Sequence, residues 1–362
     1  VFFLRLAVAA ILGSVWLENG AAAPLDVFLS AYPAPTSSEA QIEMSADRMN
    51  TQLDVFDLRS RSSSLDNLDS SYSANRINAG FKVGESGWLS GSLAQRTSVD
   101  KGGTYRFVSW SAAGQYRFME QESWSPAVAL RLGAWGNYAD QTESSKSVLV
   151  PGAKLDSTKI SAPADQQLQA DLIASWTLRQ QVQVSAVLSA GRSQLSYSAL
   201  SATTTLDGCH YLLRFTGNGI YGVLTEPCTS DIYIKEIYDN SGRLGIDVAK
   251  EIAWRGNFLQ AGINARWQHG PWGVRGGYLF YIVERDGIDA ILLGRKQASY
   301  TQSHTLGLEG SYQFVPKMQL AASVLLNSNL FFDQMPVNYN TGTASRFDAA
   351  SSIFGLSLRF DF

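Results

Sequence analysis

Near the end of the chain Phe354, Leu356, Leu358, Phe360 and Phe362 alternate with Gly355, Ser357, Arg359 and Asp361. A period of two puts every apolar side chain on one face of an extended strand and every polar one on the other. The dyad recurs upstream. Leu168, Ala170, Leu172, Ala174, Trp176 and Leu178 alternate with Gln167, Gln169, Asp171, Ser175 and Thr177, broken only by Ile173. Val182, Val184, Ala186, Leu188 and Ala190 repeat it after a polar turn at Arg179-Gln180, which makes the pair a hairpin. Val108 to Phe118, Val128 to Ala134, Leu259 to Trp267, Val274 to Ile282, Leu306 to Phe314 and Leu320 to Leu326 follow the same rule. No segment after the first twenty residues is apolar enough for the roughly 20-residue run a membrane helix needs. A wall that is oily on one side and wet on the other then points to a closed barrel, which pairs every backbone group without an open edge. The expected fold class is all-β, a transmembrane antiparallel up-and-down β-barrel.

The strand count follows from parity, because a barrel with both ends on one side of the membrane has an even number of strands. Thirteen alternating segments can be counted. A fourteenth is expected at Asp231 to Tyr238, turning through Asp239-Asn240-Ser241-Gly242 to a strand from Arg243. About 14 strands is the resulting expectation, and 12 or 16 also satisfy parity, since Gln41 to Leu58 reads as one bulged strand or two short ones. Short turns (Gly84 to Gly87, Met119 to Ser123, Arg179-Gln180, Val315 to Lys317) fall on one side. Long loops fall on the other: Arg59 to Ala74, Ala139 to Asp165, Ala199 to Ser230, Arg285 to Ala298 and Asn329 to Ala349. Function commonly resides in such loops.

At the other end Arg5, the apolar Leu6 to Trp16 and the small residues Gly20, Ala21 and Ala22 have the form of a secretory signal peptide, expected over residues 1–22. Residues 23–40, with Tyr32-Pro33-Ala34-Pro35, are expected to be a flexible periplasmic lead-in, and 41–362 the barrel. The final strand, Gly355 to Phe362, resembles the terminal strand of Gram-negative bacterial outer-membrane β-barrel proteins of the porin-like kind. That resemblance implies an outer-membrane location among lipid and lipopolysaccharide. It also implies that Phe360 and Phe362 form a C-terminal signal read by the barrel-assembly machinery.

Composition agrees with a barrel: 45% hydrophobic but only 17% charged, with a net charge of -3 and no basic run that would suit nucleic acid. The two cysteines, Cys209 and Cys228, share one expected surface loop on an export route, so a disulfide is expected. The inward faces would carry Lys82, Arg96, Arg117, Arg131, Arg266, Arg275 and Arg359 together with Asp171, Asp247, Glu251, Glu309 and Asp361. Charges of both signs brace a wall by pairing or line a solute path with a weak preference for anions. Trp88, Trp110, Trp176, Trp254, Trp267 and Trp272 suit interfacial girdles, and Gly276-Gly277 suits strand curvature. Catalysis has little to build on. The three imidazoles are His210, His269 and His304, and His304 cannot form a local dyad with Ser303, because neighbours in a strand face opposite ways. No metal site or cofactor is expected. The leading functional expectation is a porin-like or gated channel for small solutes or an exported polymer. Behind it stand a non-conducting barrel whose loops serve adhesion or receptor binding, and a lipid-modifying enzyme.

Overall fold

The computed structural model describes residues 26–33, 38–50, 71–100, 103–145, 147–150, 153–179, 181–217, 219–226, 228, 234–240, 248–329, 336–344 and 350–362. The expected signal segment, residues 1–22, lies outside them. In chain order the strands begin with β1 (Ala40–Asn50), β2 (Ser71–Val83), β3 (Gly87–Asp100), β4 (Gly103–Met119) and β5 (Ala127–Tyr138). The short β6 (Gln141–Ser144) and β7 (Val148–Val150) lead to β8 (Ala153–Ser161), β9 (Ala164–Arg179) and β10 (Val182–Ser196). Next come β11 (Ala199–Leu206), β12 (Cys209–Thr216), β13 (Gly219–Leu224), β14 (Glu236–Asn240) and helix α1 (Val248–Ile252). The chain closes with β15 (Arg255–His269), β16 (Trp272–Arg285), helix α2 (Ile288–Gly294), β17 (Gln302–Val315), β18 (Met318–Asn327) and β19 (Ser351–Asp361).

Twelve of these strands close into an antiparallel barrel in the order β1-β19-β18-β17-β16-β15-β10-β9-β5-β4-β3-β2. The seam joins the two ends of the chain. β1 pairs β19 from Gln41↔Asp361 to Asn50↔Ser352, Phe362 N donates to Ala40 O at 2.8 Å, and Glu39 N donates to Phe362 O at 2.8 Å. The number is therefore twelve rather than the favoured fourteen. The extra strand sought at Asp231 to Tyr238 is β14, displaced to Glu236–Asn240, and it pairs with β13 outside the barrel. Five residues are too few to cross a bilayer, for which a tilted strand needs about 9–11.

Alternation places the side chains as the wall requires. In β10 Leu188 is 59% exposed while the next residue, Ser189, is 1% exposed, and in β9 Leu172 is 47% exposed beside a fully buried Asp171. A water-soluble protein would reverse both pairs, so the outer surface is built for hydrocarbon. Trp176, Trp267 and Trp272 face outward near the end that carries the short turns, Trp272 lying 4.6 Å from the Tyr312 ring. Trp88 and Trp254 depart from the girdle expectation, since Trp88 lines the lumen and Trp254 is buried with its Nε1 donating to Tyr339 O at 2.9 Å.

Above the short-turn-opposed rim the wall continues as a second sheet, ordered β14-β13-β12-β11-β8-β6 with β7 on β8. The ladder between β9 and β10 passes directly into that between β8 and β11, through Ser198 N to Ser161 O at 3.0 Å. Thus the expected loops Ala139 to Asp165 and Ala199 to Ser230 are largely strands. Asp207-Gly208, both at positive φ (50° and 77°), supplies the tight turn between β11 and β12. One face of the sheet packs Leu155, Tyr211, Leu213, Phe215 and Ile220, and the disulfide Cys209–Cys228 ties β12 to the chain beyond β13. Closing a loop of this length restrains the open sheet by about 3 kcal/mol on the chain-entropy model. Reduction should accordingly speed protease cleavage between residues 199 and 240 while leaving the heat-induced gel shift of the barrel unchanged. Limited proteolysis with and without reductant checks this.

Candidate functional site

The barrel interior is filled from both ends. From the short-turn end, residues 26–33 run up inside the wall as an insert. Ala31 N donates to Ser175 Oγ at 2.9 Å, while Gln115 Nε2 donates to Ser30 O at 2.9 Å and Asn264 Nδ2 to Leu29 O at 2.8 Å. The insert's backbone thereby satisfies in the wall what it would otherwise bond to water. Its apolar side chains meet the few apolar side chains of the inner face: Ala31 packs with Ala127, Ala129, Ile173 and Val187, and Val27 with Leu279. Ile173, the residue that broke the dyad, is fully buried in this contact. Gly277 and Gly307 stand opposite one another in register. A Cβ on Gly277 would lie 2.7 Å from Val27 O, and one on Gly307 would lie 3.0 Å from the Phe28 ring. These glycines serve close approach of the insert, not only curvature. Two arginines complete the seat, with Arg275 4.2 Å over the Phe28 ring and Arg117 4.6 Å over the Tyr32 ring. Of the expected flexible lead-in over residues 23–40, the described stretch 26–33 is packed within the lumen and Ala40 already begins β1.

Beside the insert lies a cavity of about 590 Å³, bounded mainly by β1, β2, β3 and β15 to β19 and reached also by side chains of β4, β5 and β10. Its wall is a chain of charges. Glu309 accepts from Nη1 and Nη2 of Arg359, at 2.7 Å each, and from Nε and Nη2 of Arg275, at 2.9 and 2.8 Å. Arg359 also grips Glu43 across the β1/β19 seam, where Gln41 Nε2 donates to Asp361 Oδ1 at 2.9 Å. Asp47 pairs with Arg76 higher up. On the far wall Arg131 bonds Asp171 at 2.7 Å. Buried pairs of this kind add little net stability but penalise any register in which one partner is left alone.

At the other end surface loops pack inside the wall. Ile288 and Leu292 of α2 and Val337, Tyr339 and Ala344 of the β18–β19 connection pack on the upper inner wall, including Tyr72, Phe107, Phe258 and Val283. Arg285 lies 3.8 Å over the Tyr339 ring and bonds Asp289 at 3.1 Å, and Val337 N donates to Asp165 Oδ2 at 2.8 Å. Over this plug Arg295 forks onto Glu251 at 2.6 and 3.0 Å, and that hydrogen-bonded carboxylate raises the guanidinium pKa above its ordinary value. The inner face is thus wet for its lower part and apolar near the surface.

Of the residues expected to line the lumen, Arg131, Arg266, Arg275, Glu309, Arg359 and Asp361 border the cavity, and Asp171 is buried beneath Arg131. Arg117 stands lower, bonded to Glu120 at 2.8 Å. Lys82 and Arg96 share the inward parity of β2 and β3, with Arg96 buried in the upper part. Glu251 does not line the lumen: it is in α1 and not on a strand, bonded to Arg295 and Thr341. Asp247 lies outside the described residues. Glu43, Asp47 and Arg76 were missed, although Gln41, Glu43, Ser45 and Asp47 already alternate with Ile42, Met44 and Ala46. Phe360 points outward and Phe362 caps the seam. The histidines lie apart: His210 beside Thr205 on the surface sheet, His269 stacked on Trp267, and His304 bonded to the Tyr278 hydroxyl at 2.7 Å while Ser303 is buried on the other face.

A closed antiparallel wall, an outward leucine belt, aromatic rows and a polar, partly filled interior define a transmembrane β-barrel protein of the bacterial outer membrane. No known family model and no curated protein matches the chain. Among solved structures it is similar to the translocator domain of the autotransporter NalP from Neisseria meningitidis (8% identity, 89% of this chain and 87% of that one, TM-score 0.46). It is also similar to the NanC porin (7%, 89% and 100%, 0.44) and the CymD monoaromatic hydrocarbon channel (10%, 90% and 89%, 0.39). Likeness at this level carries no argument about cargo.

Because Glu309 serves two arginines at once, Glu309→Gln leaves Arg275 with a neutral partner and the buried Arg359 with Glu43 alone. Loss of one member of a buried pair typically costs about 3–5 kcal/mol. Urea unfolding in detergent micelles, followed by the gel shift, should show a midpoint lowered accordingly.

Proposed function

We propose that this chain is a gated channel for small solutes, held shut by its own N-terminal segment below and its surface loops above. The observation that carries the reading is the insert 26–33, seated in the notch left by Gly277 and Gly307 and held by hydrogen bonds and side-chain packing alone. A barrel serving only as an anchor has no need of a separable segment in its lumen, whereas a gate needs a part that leaves without unfolding the wall. The charged cavity beside the insert is of a size for a small solute, with no room for a folded cargo. Outer-membrane lipid and lipopolysaccharide surround the wall, and Phe360 and Phe362 are the signal for the barrel-assembly machinery on the same reading. A second reading, recognition of a receptor by the surface sheet, draws on the exposed side chain of Tyr238 beyond the disulfide.

In planar bilayers the whole chain should be mostly silent. Gly277→Val, which fills the notch, should raise the frequency of openings, and deletion of residues 26–33 together with 336–344 should give stable open steps. Silence of that double deletion, with the gel shift showing a folded barrel, would favour the surface-recognition reading instead.

A further inference from the structure

In the register of β15 and β16 Arg266 stands directly opposite Arg275, both side chains turned to the lumen. Like charges so placed repel. Arg275 is offset by its fork onto Glu309. Arg266 is not: its Nη2 donates to Gln268 Oε1 at 2.8 Å, and among the described residues no carboxylate is within ion-pair distance of it. A guanidinium does not shed its proton to relieve the repulsion. The wall therefore holds a cation without an ion pair of its own against another, with Glu309 and Asp361 acting on it only from a distance, facing a cavity that Gln183, Ser311 and Gln319 also line. Glutamine at 266 would keep the polar face without the repulsion.

We propose that Arg266 is a binding site for the carboxylate of a small organic anion within this cavity. Its planar fork matches a carboxylate in two parallel hydrogen bonds, and the neighbouring amides and hydroxyl suit the polar remainder of such a ligand. As an assignment of cargo this rests on the channel reading, but occupancy of the site does not require conduction.

Calorimetric titration of the detergent-solubilised whole chain with succinate, and with the neutral succinamide, tests it at fixed ionic strength. Succinate should bind and succinamide should bind at least tenfold more weakly, charge-assisted bonds being worth that much. Arg266→Gln should weaken succinate tenfold or more while its unfolding midpoint in urea stays level or rises, and Arg266→Lys, with charge but no fork, should fall between. Equal binding of the two ligands, or succinate bound as tightly by Arg266→Gln, overturns the site. Succinate bound as expected by a barrel whose double deletion stays silent would retain the site and remove the channel.

Discussion

Hydrocarbon offers a backbone no hydrogen-bond partner, so a sheet that crosses a membrane has to bond its last strand to its first. In this chain that requirement falls on β1 and β19, and the terminal residue itself takes part through Phe362 N and O. The other features follow from closure. Once the ring is shut, each strand has one side to lipid and one to the interior, and the dyad that began as a sequence pattern becomes a leucine belt around a charged core. The ion pairs cluster where closure has to be exact in register: Arg359 reaches Glu43 across the seam and Glu309 two strands away.

A twelve-stranded ring encloses more space than its own side chains occupy, and the chain fills the remainder with material from outside the wall. The lower filling is mixed in character, since residues 26–33 bond their backbone to wall side chains and bury Val27 and Ala31 on a small apolar patch. The upper filling is a true apolar core, in which α2 and the Tyr339 turn pack on inward aromatic residues. Beside the insert the charged cavity remains. The two fillings thus differ in chemistry, one apolar and one hydrogen-bonded to the wall.

Much of the wall was legible in the sequence because alternation with period two has few other physical sources. The short turns and the outward Phe360 followed from it, while the disulfide followed from two cysteines sharing one expected loop. What escaped was of three kinds. Strands above the membrane alternate like those within it, so β11 to β13 and the segment before Asn240 were indistinguishable from loops or wall strands until pairing was known. Residues that look like lapses in the pattern, Ile173 and the glycines 277 and 307, make sense only with Val27 to Ala31 beside them, some 140 residues or more away in sequence. Glu251 was set on a strand because a five-residue helix leaves no periodic trace.

The most direct test of the central claim is the solvent each face meets. Spin labels at Leu172, Leu188 and Leu259, and at Ser189 and Gln260, in the folded protein in lipid vesicles should divide by parity. A closed lipid-facing barrel predicts relaxation by dissolved oxygen at the three leucine positions and not by a water-soluble nickel chelate. Ready access of the chelate to those leucine positions, or equal oxygen access at Leu188 and Ser189, would contradict it.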